Sequence, residues 1–309
     1  MMRTLLFSIF FLPTFLFSQH LPDSLRHWHR GGMVGLNFAQ ASFTNWASGG
    51  ENSISGQTRL NLFVNYKRDS TSWDNGIDLA YGLLQQGKGL TKKTDDKIDF
   101  TSKYGRYAFK NWYYSALFGF KTQFLPGYEY KGDTAKILIS DFMAPGYLLL
   151  AAGMDYKPNK RFSFFAAPIT GKTTIVTNQM LADAGSFGMN KALYDASGNK
   201  TKDGQHIRNE FGGYVRISYK ADVMTNVTLT TRCEFFTNYL KDPQNIDVNA
   251  EVLLTMKVNK YISASFNMQG IYDNDINIAV DSNHDGVTDA VGTRFQFRQI
   301  FGVGFTAKF

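Results

Sequence analysis

Between residues 207 and 221 side chains of opposite character alternate along the chain. The odd positions carry Ile207, Phe211, Gly213, Val215, Ile217, Tyr219 and Ala221, with Asn209 as the exception. The even positions carry Arg208, Glu210, Gly212, Tyr214, Arg216, Ser218 and Lys220. A period of two means an extended strand with one apolar and one polar face. The run exceeds the usual globular strand of about 5–6 residues. It suits a tilted strand that crosses a bilayer, which takes about 9–11 residues.

The pattern recurs along the chain. Leu60, Leu62, Val64 and Tyr66 oppose Arg59, Asn61, Asn65 and Lys67; Trp112, Tyr114, Phe118 and Phe120 oppose Ser115, Gly119, Lys121 and Gln123. Val248, Ala250, Val252 and Leu254 oppose Asn249, Glu251 and Thr255. The repeats place strands near 31–43, 53–67, 73–85, 96–109, 112–124, 145–157, 161–170, 207–221, 226–239, 246–257, 261–273 and 293–309. The expected fold is all-β, a membrane-spanning antiparallel up-and-down β-barrel of about twelve strands, with ten or fourteen as alternatives. Short links fall near Asp69, Lys110-Asn111, Pro158-Asn159, Met224-Thr225 and Asn259. They alternate with longer loops near 44–51, 86–95, 126–144, 171–206 and 274–292, and Lys241-Asp242-Pro243 reads as one short loop on the long-loop side. Up-and-down barrels sort their loops in this way; a sandwich has no reason to.

Composition agrees with this frame. The 309 residues include 27 Phe, 16 Tyr and 28 Gly but 7 Pro and 1 Cys. The mean hydropathy of -0.26 does not argue against a membrane barrel, in which half of each strand is free to be polar. Cys233 lies on the apolar face of its strand, between Arg232 and Glu234. Trp73, Trp112, Tyr113, Tyr156, Tyr239, Tyr261 and Tyr272 stand at strand ends, where interfacial girdles are expected.

The chain begins with Arg3 and an apolar stretch from Thr4 to Phe17, followed by Ser18. This reads as a cleaved secretory signal peptide, 1–18. A periplasmic lead-in, 19–30, and a barrel, 31–309, follow. His27 and His29 flank Trp28 in the lead-in, which is expected to be irregular. At the other end Phe295, Phe297, Phe301, Val303, Phe305, Ala307 and Phe309 share one face. A final amphipathic strand with Phe305 and Phe309 resembles the signal read by the outer-membrane barrel-assembly machinery, which pairs with an exposed strand edge. The expected location is therefore the outer membrane. The expected partners are its lipid and, during biogenesis, that machinery, with no nucleic acid; the oligomeric state is left open.

Two sets of residues are candidates for sites. Asp281, Asn283, Asp285, Val287 and Asp289 follow the spacing of a calcium loop, with Gly286 at the turn. The twelfth position is Gly292 where a bidentate Glu is usual, so Ca2+ is a weak candidate ion and no cofactor is otherwise required. The second set is the expected lumen face: Arg59, Lys121, Arg208, Glu210, Arg216, Arg232, Glu234, Glu251 and Arg298, with Lys67, Asp78, Lys103 and Arg294 beside them. Such charges either line water or pair and plug the barrel, and twelve strands lie between the filled and the open sizes. No Ser–His arrangement is visible around His206, so no catalytic residue is assigned.

The run Asn45-Trp46-Ala47-Ser48-Gly49-Gly50-Glu51-Asn52, with Gln57 to Tyr66 and Trp73-Asp74-Asn75, resembles a family of Bacteroidota outer-membrane proteins known as domain of unknown function 3078. The likeness runs from about Trp28 to the C-terminus. The resemblance implies an outer-membrane place and supplies no activity. The expected role is a narrow diffusion pore or a structural or accessory component of the envelope, without catalysis. An outer-membrane hydrolase of lipid or peptide and a secreted soluble β-protein are the alternatives.

Overall fold

The computed structural model describes residues 27–42, 51–131, 135–280 and 289–309. The alternating segments form twelve barrel strands. They are β1 (Trp28–Ala41), β2 (Ser53–Arg68), β3 (Thr71–Gln86), β4 (Lys92–Phe109), β5 (Trp112–Thr122) and β6 (Gly146–Asn159). They continue with β7 (Phe162–Ile175), β8 (Ile207–Met224), β9 (Val227–Asn238), β10 (Asp247–Lys257), β11 (Ile262–Tyr272) and β12 (Gln296–Lys308). Every strand pairs antiparallel with its neighbours in the chain, and β1 pairs with β12 to close the barrel. The expected fold class and strand number hold.

Alternation explains why these residues form this object. Charged and polar residues cannot share a face with Phe and Leu in a strand, so each strand presents one face to each side of the sheet. The apolar faces point outward: Phe38, Leu150, Ile169, Phe301 and Phe305 stand exposed on the outer wall. The polar faces point into the lumen, where Asp99, Asp155, Glu210 and Glu234 are buried. Cys233 is half-buried and unpaired, on the outward face opposite Ile217 and Ala250.

Tight turns join the strands at one end. Asp69, Lys110, Asn111 and Asn226 hold positive φ there, and two such residues in a row at Lys110-Asn111 match the twist of a two-residue hairpin. The described parts of the longer linkers, 51–52, 87–91, 123–126, 141–145, 176–206, 239–246, 273–276 and 294–295, lie at the other end. The long-loop end carries its own structure, which period-two reading did not anticipate. A hairpin joins Gly127–Lys131 to Ala135–Ser140, and a one-turn helix α1 spans Gln179–Asp183. Asn178 caps that helix by accepting from the Met180 and Leu181 N–H groups. Val176, Leu181, Ala182, Met189 and Ala144 form a small apolar core under this cap.

Several boundaries shift. β1 begins at Trp28, so His29 is a strand residue and not part of an irregular lead-in. The loop expected over 86–95 shrinks to 87–91, because a register shift at Gly82/Leu83 lets Lys92 and Lys93 pair with β3. β7 runs on to Ile175, past the expected end at residue 170, through a bulge beside Ala152/Met154. The seven aromatics expected at girdle positions divide. Trp73 lies outside, in a cluster with Trp28 and Tyr66 at ring distances of 5.0 and 6.1 Å, whereas Tyr113 lines the lumen.

The closing seam tolerates no side chain at Gly304. A Cβ there would lie 1.9 Å from the Leu36 carbonyl oxygen on β1, whereas one on Gly56 would meet nothing within 4 Å. We expect Gly304→Val to abolish the compact, heat-modifiable gel band and Gly56→Ala to retain it; a compact band with Gly304→Val would contradict this seam.

Candidate functional site

The site is the lumen, and its middle is crossed by ion pairs. β4 and β10 lie six places apart in the twelve-strand ring and therefore face each other across it. Lys97 on β4 reaches Glu251 on β10 at 3.1 Å. Arg232 on β9 binds Asp99 at 2.7 Å and Glu251 at 3.0 Å. Arg59 on β2 bonds Asp95 and Asn267, both at 3.2 Å, and Arg298 on β12 also holds Asp95. Lys121 on β5 pairs with Glu234 on β9. Long cationic side chains span the gap, while the carboxylates stay close to their own strands.

Beside this lattice lies an apolar patch that also points inward. Leu117, Ala151, Phe165, Ala167, Tyr214 and Phe236 pack together, and the Tyr214 hydroxyl donates to Glu234 at 2.8 Å. A second charged group closes the long-loop side. Lys172 binds Asp247 at 2.7 Å and stands 4.7 Å from the centre of the Phe236 ring. Arg208 joins Glu210 at 3.2 Å and Asp275 at 2.8 Å. Asp275 lies outside the strands. Burial pushes its carboxyl up, but the Lys241 hydrogen bond and the Arg208 charge outweigh this and lower it.

Toward the tight-turn end the lumen widens into a cavity of about 1010 Å3, with Asn111, Lys160 and Arg161 of the turns at its mouth. Its inner wall includes Lys97, Arg232 and Glu251 of the lattice. The lumen is thus an open vestibule on one side and a filled plug beyond.

The nine principal lumen charges expected from sequence all lie on inward faces. Arg59, Lys121, Arg208, Glu210, Arg216, Arg232, Glu234, Glu251 and Arg298 each make at least one contact with an opposite charge. Lys103 also points inward, 2.6 Å from Asp155. Arg294 does not belong with them; it is exposed and precedes β12. Sequence reading missed Asp95, Lys97, Asp99, Asp155, Lys172 and Asp247. Asp95 and Lys172 fell in segments taken for loops, and the alternation itself would have found Asp99 and Asp155. In the candidate calcium loop, Asp281, Asn283, Asp285 and Val287 lie outside the described residues; Asp289 is described and exposed. Phe305 and Phe309 stand on the outer face, and Phe309 exchanges backbone hydrogen bonds with Gly32. His206 places Nδ1 2.6 Å from the Val176 carbonyl oxygen and Nε2 3.1 Å from Gln179 Oε1.

Residues 38–128 match the family model described as "Protein of unknown function (DUF3078)". Residues 187–286 match a second, described as "Protein of unknown function, DUF481". The first match agrees with the resemblance drawn from Asn45–Asn52 but is narrower than the span from Trp28 to the C-terminus. No curated protein matches the chain. Among solved structures, an outer membrane channel from Pseudomonas putida F1 is 11% identical, with 94% of this chain and 100% of that chain covered and a TM-score of 0.38. The NanC porin is 11% identical, over 89% of this chain and 98% of that one, with a TM-score of 0.34. Outer membrane phospholipase A from Escherichia coli is 10% identical, over 94% and 93%, with a TM-score of 0.35.

Two consequences are measurable. Arg232→Met would leave buried Asp99 with Lys97 alone, at 3.7 Å, and Glu251 with Lys97 and Asn267; removing one partner of a buried ion pair costs up to ~3–5 kcal/mol. We expect a clear drop in the denaturant midpoint of the folded barrel; an unchanged midpoint would mean that the lattice adds nothing. In the long-loop cap, the Lys200 hydrogen bond, then the Gly204 N–H, hold the Asp183 carboxyl down at about 2. A lowered carboxyl stabilises the fold above its unfolded value, near 3.8, and that stability is lost as pH falls through about 2. Protection of segment 179–204 from hydrogen exchange, measured against unstructured-peptide rates at each pH, is expected to hold at pH 4 and to fall between pH 4 and pH 2, with Asp183→Asn removing the change.

Proposed function

We propose that this chain is a non-catalytic outer-membrane barrel that stands shut, a structural or accessory component of the envelope and not an open diffusion pore. The observation that carries the reading is the salt bridge from Lys97 to Glu251 across the full width of the ring, backed by Arg232. Placement in a membrane is supported by the outward apolar wall. Phe38, Leu150, Ile169, Phe301 and Phe305, all more than 60% exposed along their strands, are too many and too large for a water-facing surface of this kind. Strands of 11 to 18 residues reach across a bilayer, and the closed ring satisfies every inter-strand partner that lipid cannot.

The bacterial outer membrane is the setting that residues 1–18 as a cleaved export signal and Phe309 as an assembly signal support, and the Bacteroidota kinship read from Asn45–Asn52 fits it. The tight turns then face the periplasm, and the capped loops face outward. Absence of catalysis is supported by His206, whose two ring nitrogens are engaged by Val176 and Gln179. Ca2+ is the ion proposed for Asp281–Asp289, at the weak end of such loops because Gly292 lacks a carboxylate.

Planar-bilayer recording of the folded protein decides the main point. The wild-type barrel is expected to give no sustained single-channel steps, and Lys97→Ala combined with Arg232→Ala and Glu251→Ala is expected to produce them. Steady steps from the wild-type protein would overturn the closed reading in favour of a pore.

A further inference from the structure

The vestibule at the tight-turn end carries more positive charge than the ion-pair lattice consumes. Its lining includes ten lysines and arginines against three carboxylates. Arg59, Lys97 and Arg232 are committed to Asp95, Asp99 and Glu251. Lys103 and Lys157 share Asp155 behind the wall, at 2.6 and 3.4 Å, and Lys157 also takes Asp74 at 2.8 Å. Lys67, Lys160, Arg161 and Lys220 at the mouth pair with none of the described carboxylates within 4 Å.

Arg216 makes the excess specific. It extends from β8 into the cavity wall, and its side chain is 14% exposed. Among the described residues its one carboxylate within 4 Å is Glu234, at 3.9 Å. Glu234 is already used by Lys121, by the Tyr214 hydroxyl at 2.8 Å and by Asn249 at 3.1 Å. The Arg216 guanidinium therefore makes no hydrogen bond to a described residue. A guanidinium cannot shed its proton in a protein and offers five donors in a rigid fork. Sheltered cations are expensive unless paired, and this fork fits a carboxylate or a phosphate two atoms at a time.

We propose that the vestibule is a binding site for an anionic solute bearing a carboxylate or phosphate group, anchored on Arg216. Ser218, two positions along the same strand face, and Thr230, opposite Lys220, add hydroxyls to the same cavity wall. The basic mouth concentrates anions, because a cleft with low-dielectric walls focuses its field. At about 1010 Å3 the cavity sits at the upper end of the usual ligand-pocket range, roughly 300–1,000 Å3, so it takes more than a bare ion. The lattice closes its inner end, so the ligand enters and leaves by one mouth. The anion site rests on the Arg216 wall of the cavity; only the single mouth depends on the closed reading of the barrel.

The test uses the full-length folded protein in a nonionic detergent, with 5-carboxyfluorescein as probe and fluorescence anisotropy as readout. Saturable binding is expected that weakens at least tenfold in Arg216→Gln and is unchanged in Arg68→Gln, an exposed residue at the end of β2 outside the cavity. Displacement by inorganic phosphate supports a free anion as the natural ligand. Displacement by dioctanoyl phosphatidylglycerol alone supports a lipid headgroup. Absence of saturable binding overturns the proposal, as does equal weakening by the two substitutions or equal affinity for the cationic dye rhodamine 6G. If Arg216→Gln loses its compact gel band, the Lys67→Gln/Lys220→Gln double variant replaces it, with at least threefold weakening expected and no change counting against the site.

Discussion

The pairing of the first strand with the last is the contact on which this molecule depends. A sheet of twelve strands with apolar groups on one side and charges on the other has no stable open form, since it would leave two unpaired edges. Closure removes both edges and separates the two faces, one outside and one within. Phe309 and Gly32 exchange both of their backbone hydrogen bonds at the end of that seam. Gly304 lets the two strands approach there, since a Cβ on it would lie 1.9 Å from the Leu36 carbonyl oxygen.

Closure then creates a second problem, because it confines many charges in a narrow tube. The lumen resolves it by matching long cationic side chains with short carboxylates on distant strands. Lys97, Arg232 and Arg59 reach inward across the ring, and Asp95, Asp99 and Glu251 receive them. Phe165 and Phe236 fill the adjacent space, with Lys103 and Lys172 lying over their rings. Matching is less complete toward the tight-turn end, where Arg216 and the mouth lysines leave an excess of positive charge. The proposed closed barrel and the proposed anion site are thus two consequences of one uneven distribution of charge.

The alternation along Ile207–Ala221 was legible because period two is a local property that any window of the chain displays. The same holds for the last strand and for the inward direction of Arg208, Glu210, Arg216 and Arg232. Local reading failed where registry between strands decided the outcome. Lys172 and Asp95 were taken for loop residues, and they became lumen residues because bulges extended β7 and β4. The helix Gln179–Asp183 and the hairpin around Gly127–Ser140 were invisible to a reading tuned to long strands, being too short to show a period.

By itself the sequence determined the class of fold, an approximate strand number and which side chains share a face, because strand periodicity is written in neighbouring residues; closure at twelve came from the tertiary structure. It could not determine who meets whom across the lumen. Lys97 and Glu251 are 154 positions apart, and only the shear and closure of the barrel bring them together. Whether a lumen charge is paired or left over is likewise a property of the assembled ring. That is why the plug and the basic vestibule emerged from the tertiary structure alone.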